Sequence, residues 1–148
     1  MPATPDCNSG NVLAFDYGMR VIGVAIGNRL TAQARALTTL ACIDWPRLDT
    51  LITDWQPEHL VVGLPLALDG TEQAMSRAAR DFADTLRQRY ARAVDLVDER
   101  HTSGEAARLF ATQRAHGTAR RKDAAAIDAL AAQVILEAWF ADCAARAP

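Results

Sequence analysis

Cysteine is scarce in this sequence, and the few cysteines lie far apart. The chain has three, Cys7, Cys42 and Cys143, and no two of them form a CxxC pair. An odd, scattered set argues against a disulfide framework and against a structural zinc site. Free thiols persist in reducing compartments, so the pattern predicts a cytoplasmic protein.

Long apolar runs are also missing. No segment approaches the roughly 18–20 consecutive apolar residues that a membrane-spanning helix needs, so we expect no membrane partner. Residues 1–10, MPATPDCNSG, are polar and contain no basic stretch followed by an apolar run, which predicts a flexible tail and no signal peptide. The length of 148 residues fits a single domain, which we place at residues 11–143.

Lysine is nearly absent, since Lys122 is the only lysine among 16 basic residues. The net charge of −2 argues mildly against nucleic-acid binding, but the distribution of charge matters more than its sum. Arginines cluster in residues 77–92, and residues 108–122 contain basic residues and no acidic one. Arginine is suited to bidentate phosphate contacts, although either stretch could simply be a solvated face.

Apolar patterning predicts alternating strands and helices. Runs rich in β-branched residues predict strands, apolar residues at helical spacing predict helices, and Pro46, Pro57 and the Thr102/Glu105 capping box indicate helix ends. The predicted strands are 11–17, 21–27, 36–43, 60–63 and 94–97, and the predicted helices are 46–55, 71–91, 102–115 and 123–143, the last with Asp123 as its N-cap. This order indicates an α/β fold with a mixed five-stranded sheet flanked by helices on both faces.

Three acidic residues occupy positions that suggest chemistry. Asp16 lies near the end of the first predicted strand, Glu99 follows the end of the fifth, and Asp128 lies within the apolar last helix. Acids are rarely buried without a reason, and sites in open α/β sheets form at the carboxyl ends of strands. Carboxylate oxygens there suit Mg²⁺ or Mn²⁺, which can activate water for attack on a phosphodiester.

Each acid also has a simpler interpretation. Asp16 could cap the turn at Gly18, Glu99 could pair with a neighbouring arginine, and Asp128 could be an exposed helix acid. From the residues alone these alternatives stay open.

Four short motifs occur in a characteristic order. They are Asp-Tyr-Gly at 16–18 followed by Ile-Gly-Val-Ala at 22–25, Gly-Leu-Pro at 63–65 with Asp-Gly-Thr-Glu at 69–72, Asp-Glu-Arg at 98–100, and Ile-Asp at 127–128 followed by Ala-Ala and Ile-Leu pairs. Each is weak alone, but together, across residues 13–140, they resemble the YqgF family, also called RuvX-like.

The resemblance implies a ribonuclease H-like fold related to Holliday-junction resolvases. It further implies a metal-dependent nuclease that matures the 5′ end of the 16S ribosomal RNA precursor. Asp16, Glu99 and Asp128 would then be the catalytic acids and the ligands of Mg²⁺ or Mn²⁺. These are the same three acids that the strand and helix pattern selected.

The expected partner is structured RNA, bound by a monomer or weak dimer. We expect nucleic-acid contacts from Gly18, Arg77, Arg80, Arg100, Arg120, Arg121 and Lys122. Two alternatives remain, a Holliday-junction resolvase that acts on branched DNA and a non-catalytic nucleic-acid-binding module. A two-lobed actin-like ATPase is excluded because the chain has residues for one lobe only.

Overall fold

The structure is a computed structural model that describes residues 10–18, 20–41, 43–67, 69–98 and 121–146, with no side-chain detail at 121–127 and 144–146. The predicted helix at 102–115 lies outside the described residues, as do Glu99, Arg100 and Arg120.

Five strands and three helices make up the described part of the chain. In chain order they are β1 (Asn11–Asp16), β2 (Val21–Asn28), β3 (Gln33–Ala41), α1 (Trp45–Trp55), β4 (His59–Leu64), α2 (Ala74–Tyr90), β5 (Ala93–Asp98) and α3 (Arg121–Arg146). The proline signals act as expected at α1. Pro46 lies in its first turn, the Asp44 side chain caps that turn by accepting from the Arg47 amide, and the helix ends before Pro57.

The strands form one mixed sheet in the order β3-β2-β1-β4-β5. β1 pairs antiparallel with β2, and β2 pairs antiparallel with β3. β4 runs parallel to both β1 and β5. The opening hairpin therefore joins a parallel core, with β1 at the centre of the sheet.

Helices cover both faces of this sheet, as the sequence predicted. On one face α1 and α2 bury residues such as Leu48, Phe82 and Leu86 against the odd-numbered apolar residues of β1. On the other face α3 packs Ala132, Ile135, Leu136, Trp139 and Phe140 against Val12 and Ala14 of β1 and their neighbours. Side chains that alternate along β1 thus point to different helices.

The main differences from prediction lie at element ends. α3 begins at Arg121, so Asp123 lies within its first turn and is not the N-cap. Arginine and lysine are good helix formers, and an acid in the first turn suits the helix dipole. α2 begins at Ala74 instead of residue 71, because Glu72 is bridged to Leu66 in the preceding loop and Gln73 occupies the N-cap.

β3 spans Gln33–Ala41 instead of 36–43, because its pairing with β2 continues to the hairpin turn, where Gln33 lies opposite Asn28. None of the helices in the described part of the chain has the length and apolar character needed to cross a membrane.

Candidate functional site

The parallel strands bring three chain segments to one edge of the sheet. β1 ends at Asp16, β4 at Leu64 and β5 at Asp98. Because parallel strands point the same way, their carboxyl ends share one edge, which we call the carboxyl edge. The sequence motifs at 16–18, 63–65 and 98–100 all begin at or beside this edge.

Asp16 lies on the face of the sheet that α3 covers. Val12 and Ala14 pack against α3, and alternation along β1 places Asp16 on the same side. Asp16 is half-buried and takes part in a polar interaction. Its partner across the antiparallel β1–β2 pair is Gly23. Directly opposed residues in such a pair point to the same face, so Asp16 stands beside Gly23 and beneath α3.

Asp128 comes to the same place from α3. The α3 backbone passes so close to Gly23 that a Cβ atom there would lie 1.9 Å from the Asp128 carbonyl oxygen. Only glycine permits this approach. Gly23 therefore touches the Asp128 backbone and lies opposite Asp16, so the structure places the backbone of Asp128 next to the strand position that pairs with Asp16.

Burial affects the ionisation of Asp128. Its side chain is half-buried, and Ala129 and Ala132 beside it are buried. This desolvation raises the pKa of Asp128 above its ordinary value of 3.8, because the charged form loses hydration. The carboxylate would be better stabilised by a nearby positive charge.

The third acid cannot be placed, since Glu99 follows the last described residue of β5. Among the residues that the structure describes, no group of three or more His, Cys, Asp or Glu side chains is arranged to hold a metal ion. The described pair, Asp16 and Asp128, supplies hard oxygen donors. That donor type fits Mg²⁺ or Mn²⁺ and does not fit a soft-metal site.

The loop after β4 is tied to the start of α2. The buried Ser76 hydroxyl donates to the carbonyl oxygen of Pro65 and accepts from the Gln73 amide at 2.9 Å. Asp69 accepts two hydrogen bonds from Thr71, at 2.7 and 2.9 Å. These bonds hold the first turn of α2 at the carboxyl edge, on the side of the sheet opposite α3.

The predicted nucleic-acid contacts that the structure describes lie on elements that begin or end at this edge, whereas Arg100 and Arg120 lie outside the described residues. Arg77 and Arg80 lie on the exposed side of α2 near its start, and Arg80 forms an ion pair with Glu72 at 2.9 Å. Arg121 and Lys122 lie in the first turn of α3. Gly18 follows β1 and lies against the Val21 carbonyl, where a Cβ atom would approach to 2.5 Å, so the tight turn alone already requires glycine.

In the sequence, Gly23 has a place in the motif at 22–25 but no assigned role, and Gln133 has neither. The Gln133 side-chain oxygen accepts a hydrogen bond of 2.9 Å from the Ala36 amide of β3, which fixes α3 to the edge strand. The alternation Gly23, Ala25, Gly27 in β2 was an available signal, because small residues on one face of a strand indicate close approach of another backbone. Gln133 carried no local signal.

Residues 10–142 match the model of the family RuvX, described as Holliday junction resolvase. Among curated proteins, a relative from Xanthomonas oryzae pv. oryzae (strain PXO99A) is 50% identical over 136 residues, which cover 89% of this chain and 88% of the relative. A relative from Xylella fastidiosa (strain M23) is 50% identical over 137 residues, covering 90% and 88%. Both carry the name "Putative pre-16S rRNA nuclease".

Solved structures agree on the fold. The chain is similar to Thermus thermophilus RuvC in complex with a Holliday junction substrate, with a TM-score of 0.56, 14% identity and coverage of 90% of this chain and 95% of that one. A second RuvC structure from Thermus thermophilus gives a TM-score of 0.51 at 14% identity, with coverage of 91% and 96%. The predicted ribonuclease H-like fold is thereby confirmed.

Proposed function

The chain belongs to the RuvX family, and on that premise we propose that it is a metal-dependent nuclease acting in 5′-end maturation of the 16S ribosomal RNA precursor. The observation that carries the proposal is that Asp16 and Asp128 belong to elements that meet at Gly23. Asp16 pairs with Gly23 across the β1–β2 ladder, and the Asp128 backbone packs against Gly23 on the face that α3 covers. Such a nuclease would act in the cytoplasm.

We assign Asp16, Glu99 and Asp128 as the residues that hold Mg²⁺ or Mn²⁺. Such ions, when bound, activate water and stabilise the leaving oxygen of a phosphodiester. Asp16 contributes a carboxylate anchored on the central strand, which limits its movement. Asp128 contributes a second carboxylate. Its burial disfavours the charged form, so a bound cation beside it would stabilise that form. Glu99 follows β5 directly and would complete the set.

We assign the grip on the substrate to cations at the carboxyl edge. Arg77 and Arg80 flank the edge from α2, and Arg121 and Lys122 from the start of α3. These arginines suit phosphate because the guanidinium can donate two parallel hydrogen bonds. Arg100, Arg120 and Gly18 stay predicted contacts.

The competing function is a Holliday-junction resolvase, which the description of the matched family favours. The RuvC structures bear on the fold alone, because their identity to this chain is 14%. The relatives at 50% identity are named for ribosomal RNA, so we favour RNA as the substrate.

The test is a side-by-side cleavage assay. An end-labelled precursor fragment spanning the 5′ end of 16S RNA and a four-way DNA junction are each incubated with the protein in Mg²⁺, Mn²⁺ or EDTA. We expect metal-dependent cleavage of the RNA and little of the junction. Preferential junction cleavage would establish the resolvase, and no cleavage of either would favour the binding module.

A further inference from the structure

The contact between β2 and α3 is unusually close at one end. Three small residues, Gly23, Ala25 and Gly27, face α3 along β2. At Gly23 an added Cβ would meet backbone atoms, the Asp128 carbonyl oxygen at 1.9 Å and the Ala129 nitrogen at 3.0 Å. Backbone of a helix cannot rotate aside as a side-chain end can, so the contact at Gly23 limits how close α3 can lie.

A second contact fixes α3 to the edge strand. The β2–β3 register shifts between Val24 and Ala25, and the Ala36 amide just beyond that irregularity donates to the Gln133 oxygen at 2.9 Å. Gln133 lies little more than one helical turn after Asp128. The helix is therefore held at two points near Asp128, one on β2 and one on β3.

We propose that Gly23 and Gln133 are positioning residues that set the separation between the Asp128 and Asp16 carboxylates and thereby the affinity of the site for its divalent cation. The inference rests on the proposed function for its metal and deepens it. Neither residue carries a group that needs to touch the cation or the RNA. Both act through the position of α3.

The geometry gives the size of the expected effect. An alanine at 23 would force α3 to retreat by about 1.5 Å to restore ordinary contact. Asp16 would not move with α3, because it belongs to the central strand β1 and is paired with position 23 within the sheet. Metal–ligand distances tolerate about 0.2 Å. We therefore expect Gly23→Ala to weaken metal binding by about tenfold or more, as loss of supporting contacts does at other metal sites.

Gly27 offers a matched control on the same face of β2. An added Cβ there would meet the Gln33 carbonyl oxygen at 2.7 Å and the side-chain ends of Leu136 and Phe140, both at 2.8 Å. The Gln33 contact is with β3, and the Leu136 and Phe140 contacts are with α3 at positions eight and twelve residues after Asp128. Gly27→Ala thus disturbs the same helix, strand and sheet face at a distance from the acids.

The experiment measures Mn²⁺ binding by electron paramagnetic resonance on full-length wild type, Gly23→Ala and Gly27→Ala, together with crystal structures of the metal-free proteins. We expect Gly23→Ala alone to widen the Asp16–Asp128 separation and to weaken Mn²⁺ binding. Wild-type separation in Gly23→Ala, or an equal loss of affinity in Gly27→Ala, would overturn the inference.

A milder variant tests the inference even if Gly23→Ala does not fold. Gln133→Met keeps the length of the side chain and removes the acceptor for the Ala36 amide. Its control is Glu137→Met, which alters an exposed residue one turn along, whose carboxylate accepts a hydrogen bond of 3.4 Å from the Gln133 side-chain amide, and leaves the Gln133 acceptor of the Ala36 amide in place. We expect about threefold weaker Mn²⁺ binding for Gln133→Met only. Equal affinities of the two variants would count against the inference.

Failure of the proposed function would look different. If the wild type bound no Mn²⁺ and cut no RNA, the nuclease proposal would fail, while the metal-free carboxylate separations would still decide whether Gly23 positions Asp128.

Discussion

The buried hydroxyl of Ser76 donates a hydrogen bond to the carbonyl oxygen of Pro65, so that the first turn of α2 holds the loop after β4 in place. The same hydroxyl accepts from the Gln73 amide. One side chain therefore supports both the start of a helix and the loop that borders the carboxyl edge.

Replacing Ser76 by alanine should destabilise the fold. The change removes both hydrogen bonds and leaves the Pro65 carbonyl and the Gln73 amide without these partners, at a cost of about 1–3 kcal/mol in the free energy of unfolding. Urea denaturation measures it. Thr85→Ala is the control, because Thr85 bonds its own helix on the exposed side and its loss should cost under about 0.5 kcal/mol. Equal stabilities of the two variants would show that the Ser76 bonds contribute nothing.

The three acids should each be essential for cleavage. Asp16→Asn, Glu99→Gln and Asp128→Asn keep the size of the side chain and remove its charge, so we expect turnover to fall by about a thousandfold or more while circular dichroism stays unchanged. Glu137→Gln is the matched control, since Glu137 is an exposed acid of the same helix as Asp128. A variant with turnover near wild type would remove that residue from the catalytic set.

The raised pKa of Asp128 predicts a pH dependence of stability in the metal-free protein. The folded state holds the proton of this carboxyl more tightly than the unfolded state, in which the pKa is 3.8. The free energy of unfolding should therefore fall as pH rises from 3.8 through the raised pKa of Asp128, and level off above it.

Asp128→Asn should lose this contribution and be more stable than wild type at neutral pH in the presence of a chelator. Parallel urea denaturation curves of the two proteins across the acidic range provide the measurement. A constant difference between them at every pH would mean that Asp128 does not titrate differently on folding.

Arg77 should contribute to RNA binding without reading sequence. We expect Arg77→Ala to weaken binding and to reduce the slope of log affinity against log salt by about one unit, the value for one lost phosphate contact. Arg29→Ala is the control, because Arg29 pairs with Glu58 at 2.9 Å at the opposite edge of the sheet. If both variants show the wild-type slope, α2 presents a solvated face.

The architecture could be predicted because its signals are local. Apolar runs mark every strand to within a few residues, and the short span between β1 and β2 forces a hairpin. Element ends were less predictable. The bridge between Leu66 and Glu72 moves the start of α2 to Ala74, and no sequence signal in residues 71–73 predicts that contact.

The convergence of the Asp16 and Asp128 carboxylates stays a prediction, but the close backbone contact that places α3 beside β2 was not expected from the sequence. From the sequence alone, Gly23 is only a residue that weakens a strand. In the structure it permits close contact with the Asp128 backbone, which is more than one hundred residues away in the chain. Gln133 is similar, since its partner is an amide of β3. Contacts of this kind depend on how whole elements pack, which no local pattern records.

The separation of the acids along the chain has a consequence for synthesis on the ribosome. The strand with Asp16 is translated before the helix with Asp128, which follows it by more than one hundred residues. A nascent chain thus carries the central strand before the α3 residues that pack on Val12 and Ala14 have been made. The two carboxylates that we assign to the cation can therefore come together only after α3 has been translated and has packed on the sheet.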